Sequence, residues 1–131
     1  MTNKSAFTPR HILLVEDNAI NQTLVANLLR RNGHQVTVAN DGLESVNLTA
    51  TKAFDIILMD VQMPVMDGLQ ATRKIRERER KSGGHTPVVA LTANLLGDDV
   101  EDCRQAGMDN HLGKPVDIEV LLEVIQRYTG G

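Results

Sequence analysis

Four groups of residues in this 131-residue chain could do chemistry together. The first is the acidic run Glu16-Asp17-Asn18, which follows the apolar run Ile12 to Val15. The second is Asp60, which ends the apolar run Asp55 to Met59. The third is Thr92, after Pro87 to Leu91, and the fourth is Lys114, followed by Pro115. For any single Asp, capping the next helix is the simpler explanation. For the set it fails on magnitude, because two carboxylates ~4 Å apart repel by about 4 kcal/mol at an effective dielectric near 20. A cation or Lys114 must offset them. Carboxylates with water and a phosphate oxygen suit Mg²⁺, a hard ion that prefers oxygen ligands. An Asp between that ion and a lysine is placed to attack phosphorus, with the developing charge balanced on both sides.

These residues meet only if the fold brings the ends of the runs together. The runs Ile12–Val15, Gln35–Ala39, Asp55–Met59, Pro87–Leu91 and the weaker Asn110–Leu112 are short, apolar and mostly β-branched. Such runs suit strands buried on both faces of a parallel sheet. The stretches between them have helical spacing. Ile20, Leu24 and Leu28, with Val25 and Leu29, form one stripe, and Gly33 stands where that helix should end. Asp41 to Glu44 reads as a capping box ahead of Leu43, Val46 and Ala50. Asp67 can cap a helix bearing Leu69, Thr72 and Ile75. A fourth helix is expected from about Leu95 to Ala106, with an opening turn weakened by Gly97 and Asp98-Asp99. Asp117 caps a last helix carrying Ile118, Leu121, Leu122, Ile125 and Tyr128.

Strand then helix, five times over, predicts an α/β doubly wound parallel sheet, since parallel crossovers are right-handed. A fold with this count has strand order 2-1-3-4-5 and binds ligands at the carboxyl ends of strands one and three. Glu16, Asp17 and Asp60 fall there. Residues 1–9 read as a flexible lead-in and residues 10–129 as one domain.

Composition narrows the function. A net charge of -3 argues against binding nucleic acid by bulk charge. The basic run Arg73 to Lys81 is interleaved with Glu77 and Glu79 and reads as a solvated helix face. No apolar stretch approaches the ~20 residues of a membrane span, so no membrane contact is expected of this domain. The 1 cysteine, Cys103, forbids an internal disulfide and reads as a small core residue. That agrees with a reducing, cytoplasmic setting. The four histidines, His11, His34, His85 and His111, lack metal-ligand spacing. Met59, Met63, Met66 and Met108 read as core and loop filler.

Taken in order, Glu16-Asp17-Asn18, Asp60, Met63-Pro64, Asp67-Gly68, Thr92-Ala93-Asn94 and Gly113-Lys114-Pro115 resemble the receiver domains of two-component response regulators. The resemblance runs from about His11 to Tyr128, on a flavodoxin-like fold. It implies that Asp60 is the phosphoacceptor and that Asp17 and Asp60 bind Mg²⁺ directly, with Mn²⁺ an alternative. Glu16 would act through water, and Gln62 would add its backbone carbonyl. Thr92 would bond a phosphoryl oxygen and move toward it, and Lys114 would pair with the phosphoryl group. The bond from Lys114 to Pro115 would be cis, and Gly68 would open the third helix after a tight loop.

The resemblance also implies partners. A phosphohistidine donor, either a histidine kinase or a histidine phosphotransfer domain, would dock near Asn18, Ala19, Asn21 and Gln22. An output partner would read the face made by the fourth helix, fifth strand and fifth helix. The Glu-Asp-Asn opening with Asn21 is similar to receivers of hybrid histidine kinases, and a stand-alone receiver is the alternative. By itself such a domain is not an enzyme. It catalyses only its own phosphotransfer and dephosphorylation, although a parent hybrid kinase would be a protein-histidine kinase tethered to the membrane. His111 departs from the family pattern, which places Phe or Tyr three residues before the lysine, so the coupling of Thr92 to that switch position is in question.

Three rival classes remain. Phosphatases of the haloacid-dehalogenase type also use an Asp nucleophile and Mg²⁺, but place a second Asp two residues on, where this chain has Gln62. A flavin or nucleotide carrier would need a Gly-rich phosphate loop where the acidic Glu16-Asp17-Asn18 stands. A phosphate-independent module is opposed by the intact set of Asp60, Thr92 and Lys114.

Overall fold

The five apolar runs form five parallel strands in the computed structural model, which describes residues 9–63, 65–93 and 97–130. They are β1 (His11–Val15), β2 (Gln35–Ala39), β3 (Ile56–Asp60), β4 (Val88–Thr92) and β5 (Asn110–Gly113). The helices between and after them are α1 (Ala19–Arg31), α2 (Gly42–Thr51), α3 (Gly68–Ser82), α4 (Gly97–Ala106) and α5 (Ile118–Thr129). The sheet order is β2-β1-β3-β4-β5, with every pairing parallel, as expected. The lead-in residues 1–8, Pro64, Asn94 to Leu96 and Gly131 lie outside the described residues, and with Leu95 and Leu96 goes the expected start of α4, which is described from Gly97.

Strand alternation sorts the core into two layers. Leu13, Val15, Ile57, Met59, Val88 and Ala90 pack against Val46 of α2, Ala71 and Ile75 of α3, and Cys103 of α4. Ile12, Leu14, Ile56, Leu58, Val89 and Leu91 pack against Ala26 and Leu29 of α1 and Leu121, Val124 and Ile125 of α5. Each fully buried Leu or Ile contributes roughly 1.5–3 kcal/mol over its exposed state, and β1 and β3 supply most of the fully enclosed ones. The centre of the sheet is therefore a rigid platform for whatever stands at its carboxyl edge.

Local signals fix the helix starts. Asn18, Asp41, Asp67 and Asp117 all accept N–H bonds as N-caps. The capping box at Asp67 is reciprocal, with Gln70 returning a bond to the Asp67 N–H. The one expected at Asp41 is only half formed. Asp41 caps the Glu44 N–H at 2.8 Å, but the Glu44 carboxylate takes the Asn40 N–H instead. The turn ahead of α2 is thus tied one residue further back.

The basic run on α3 departs from the expected solvated face. Arg73 and Lys74 are exposed, but Arg76 is buried. Its guanidinium bonds Glu79 at 2.7 Å, Asp109 at 2.8 Å, and the carbonyls of Gly107 and Thr86 at 2.9 and 2.7 Å. Asp109 also accepts from the Val88 N–H and pairs with His85. Glu79 lies at helical spacing, but periodicity could not reveal the other three acceptors, which come from 10 to 33 residues away. Removing one partner of a buried ion pair leaves the others uncompensated. Arg76→Ala should therefore destabilise the fold by about 3 kcal/mol in urea denaturation, and a loss near zero would mean the cluster is solvated in practice.

Candidate functional site

The strand register assembles the acidic residues. Val15 pairs with Met59, so the next residues, Glu16 and Asp60, come abreast at the carboxyl edge of the sheet. Both continue the parity of the strand residues that face α1 and α5, and Lys114 follows Leu112 onto that same side. On the other flank, Thr92 pairs with Gly113, and the Lys114 N–H donates to the Thr92 carbonyl at 2.8 Å. Glu16, Asp17, Asp60, Gln62, Thr92 and Lys114 all line one cleft of about 260 Å³.

Charge is balanced there by one lysine. Lys114 Nζ lies 3.0 Å from Asp60 Oδ2 and 3.3 Å from Glu16 Oε1. Glu16 and Asp60 are each 4% exposed. Burial pushes the Glu16 carboxyl above the usual carboxylate range, and the Asp60 charge adds to this, while the Asn18 N–H and Lys114 oppose it. For Lys114, burial alone would lower the ammonium. Its bonds and attraction to Asp60 and Glu16 outweigh burial and hold it above the usual lysine range. The remaining carboxylate oxygens are oriented by backbone. The Asn18 N–H donates to Glu16 Oε2 at 3.1 Å and the Gln62 N–H to Asp60 Oδ1 at 3.2 Å.

The loop after Asp60 is held close. The Gly68 N–H donates to the Val61 carbonyl at 2.9 Å, and a Cβ at Gly68 would sit 2.2 Å from the Asp60 carbonyl oxygen. Only glycine fits at the start of α3, which gives that residue the structural part expected of it. The Lys114–Pro115 bond is cis. Val65, within the loop, has a φ of 70° and is 77% exposed. That conformation is a genuine outlier for a β-branched residue. No spacing or propensity signal singled it out, and the signal was negative: a turn position usually taken by Gly or Asn carries Val. Gln22 was also missed as a support. Its amide donates to the Glu16 carbonyl and, at 2.8 Å, to Asn40. His111 stands outside the cleft, half-buried on β5 opposite Ala90.

The family model described as the response regulator receiver domain matches residues 12–126. The chain is a response regulator receiver domain. Among curated relatives, this receiver is 43% identical over 128 residues to the sensor protein GacS of Pseudomonas syringae, covering 96% of this chain and 14% of that protein. It is 39% identical over 126 residues to hybrid signal transduction histidine kinase I of Dictyostelium discoideum, covering 92% of this chain and 7% of that protein. The receiver spans only a small part of such relatives. Among solved structures it resembles the receiver domain of sensor histidine kinase PA1611 from Pseudomonas aeruginosa PAO1, at 44% identity and a TM-score of 0.86, covering 95% and 100% of the two chains. That structure has a magnesium ion coordinated in its active site cleft. The receiver domain of Ssk1 from Saccharomyces cerevisiae, co-crystallised with the histidine phosphotransfer signalling protein Ypd1, matches at 31% identity and a TM-score of 0.88, covering 95% and 91%.

The donor set of this receiver fits such an ion. Carboxylate oxygens of Glu16, Asp17 and Asp60 lie within 4.8 Å of one another, all hard ligands, with Asp17 exposed at the mouth. Asp17→Asn should remove one repelling charge and stabilise the metal-free protein slightly, by at most about 1 kcal/mol. The same change should abolish most of the rise in melting temperature that Mg²⁺ gives the wild type. Equal Mg²⁺ stabilisation of both proteins in thermal melts would remove Asp17 from the metal set.

Proposed function

We propose that this receiver takes a phosphoryl group onto Asp60 from a phosphohistidine donor and regulates a partner in a two-component phosphorelay. The observation that carries this reading is the contact of Lys114 with both Asp60 and Glu16 in a buried acidic cleft. In the transfer, an Asp60 carboxylate oxygen forms a bond to phosphorus as the phosphorus–nitrogen bond of the donor breaks. The released imidazole nitrogen takes up a proton. Lys114 stays beside the new oxygens, and the Thr92 hydroxyl donates to one of them. Asp17 and Asp60 would hold Mg²⁺, with Mn²⁺ as substitute, joined by the Gln62 carbonyl and by Glu16 through water. The ion supplies neutralisation of charge on the transferring phosphoryl oxygens.

The donor is a histidine kinase or a histidine phosphotransfer domain. The start of α1 offers a docking edge, with Asn18, Ala19, Asn21 and Gln22 beside the exposed Ile20 and Leu24 at 78% and 58% exposure. The co-crystal of Ypd1 with the Ssk1 receiver supports this class of donor. Likeness to hybrid and sensor kinases supports a parent hybrid kinase, whose other domains would carry the kinase activity, with this receiver on the cytoplasmic side. Gln62 in place of a second Asp speaks against turnover of an outside phosphate ester.

The output face is α4, β5 and α5, and phosphorylation shifts a population already sampled. His111 on β5 takes the switch position. His111→Tyr is expected to leave phosphorylation intact and to change partner binding, and equal partner affinity in both proteins, phosphorylated and not, would show that His111 is no part of the switch. The deciding test of the whole reading is intact mass after incubation with acetyl phosphate and Mg²⁺. One phosphoryl group should be gained, and the gain should vanish in Asp60→Asn and without metal. Undiminished phosphorylation of Asp60→Asn would overturn the assignment.

A further inference from the structure

The two acidic segments of the cleft leave the sheet on adjacent strands, but their loops are joined by a third segment that does not line the cleft. This is the turn Asn40-Asp41-Gly42 between β2 and α2. On one side it reaches the loop after β1. The Glu16 N–H donates to the Ala39 carbonyl at 3.0 Å, and the Gln22 amide bridges the Glu16 carbonyl to Asn40 Oδ1. The Asn40 N–H and amide both go to the Glu44 carboxylate, which fixes the turn from behind. On the other side it reaches the loop after β3. The Gly42 N–H donates to the Met66 carbonyl at 3.0 Å.

The second contact admits no side chain. A Cβ at Gly42 would lie 2.3 Å from the Met66 carbonyl oxygen and 3.0 Å from that of Asp67. Both neighbours are backbone, so no rotamer change relieves the clash. The backbone from Val65 to Asp67 would have to move. Its loop follows Gln62, whose N–H orients Asp60, and contains the strained Val65. A residue held in a sparsely populated conformation persists only where its surroundings over-determine it. The Gly42 bond is one such restraint, two residues before the Gly68 N–H that closes the loop onto Val61.

We propose that Gly42 is a positioning residue, and that the Asn40–Gly42 turn is a tie bar setting the spacing between Glu16-Asp17 and Asp60-Gln62, and hence the affinity of the cleft for a divalent cation. The inference rests on the metal-assisted phosphoacceptor reading above. Groups that orient metal ligands change affinity about tenfold or more when removed. Gly42→Ala should therefore weaken Mg²⁺ binding about tenfold in isothermal titration calorimetry. Val124→Ala, a core truncation on α5, serves as the control for lost stability. It should lower the melting temperature and leave Mg²⁺ affinity unchanged. Equal Mg²⁺ affinity in wild type and Gly42→Ala would overturn the tie bar, as would an equal weakening in Val124→Ala.

Coupling between binding and structure is reciprocal. If opening the Gly42–Met66 bond weakens Mg²⁺ binding about tenfold, saturating Mg²⁺ must slow exchange of the Gly42 amide about tenfold in the wild type. This second measurement stands even if Gly42→Ala fails to fold. An unchanged exchange rate would overturn the proposal. Failure of the tie bar is separable from failure of the receiver chemistry. A wild type that binds Mg²⁺ but gains no phosphoryl group would count against the phosphoacceptor reading alone.

Discussion

The arrangement depends on placing like charges together where water cannot screen them. Glu16 and Asp60 are nearly buried and abreast, with Asp17 at the rim. Repulsion of this kind would be relieved by protonation, by separation, or by a cation. Separation is closed off, because both carboxylates grow from central strands whose flanking residues are fully enclosed. Lys114 supplies one positive charge from a third strand end and leaves the mouth of the cleft acidic. The buried pair is thus offset by Lys114, while the acidic mouth still favours a cation. A phosphoryl group would add negative charge at that mouth, and a cation beside it would lower the electrostatic cost.

Much of this was legible before any coordinates. The strands were readable because a parallel sheet covered on both faces needs continuous apolar runs, and Ile12–Val15 and Asp55–Met59 have that form. The site was readable because the fold fixes where strand ends lie, so residue type at those ends was enough. What escaped were contacts between distant segments. Arg76 reads as one member of a charged helix face, since three of its four acceptors lie 10 or more residues away. Glu44 matched a capping box, yet its carboxylate chose Asn40 over Asp41. The close approach of Gly42 to Met66 depends on how the second and third strand–helix connections stack, which no local pattern encodes.

The sheet also divides labour between its two faces. The side packed on α1 and α5 carries Glu16, Asp60 and Lys114 at its upper rim, so the chemistry belongs to one layer. The opposite layer, under α2, α3 and α4, supplies the loops that hold the chemistry in place. Thr92, by the parity of Val88 and Ala90, belongs to that second layer. Thr92 therefore stands on the side of the sheet that α4 covers, while Lys114 stays on the side of α5.

The ion cluster at the lower edge of the sheet has a mechanical meaning. Asp109 precedes β5 and is fastened to Arg76, His85 and the Val88 N–H, while its carbonyl takes the Tyr128 hydroxyl at 3.1 Å. The strand is therefore clamped at its amino end by side chains of α3 and α5, while its carboxyl end is held by Thr92 and, through the Lys114 ammonium, by the cleft. A pull on the Lys114 ammonium therefore acts on β5 five residues from its anchor at Asp109.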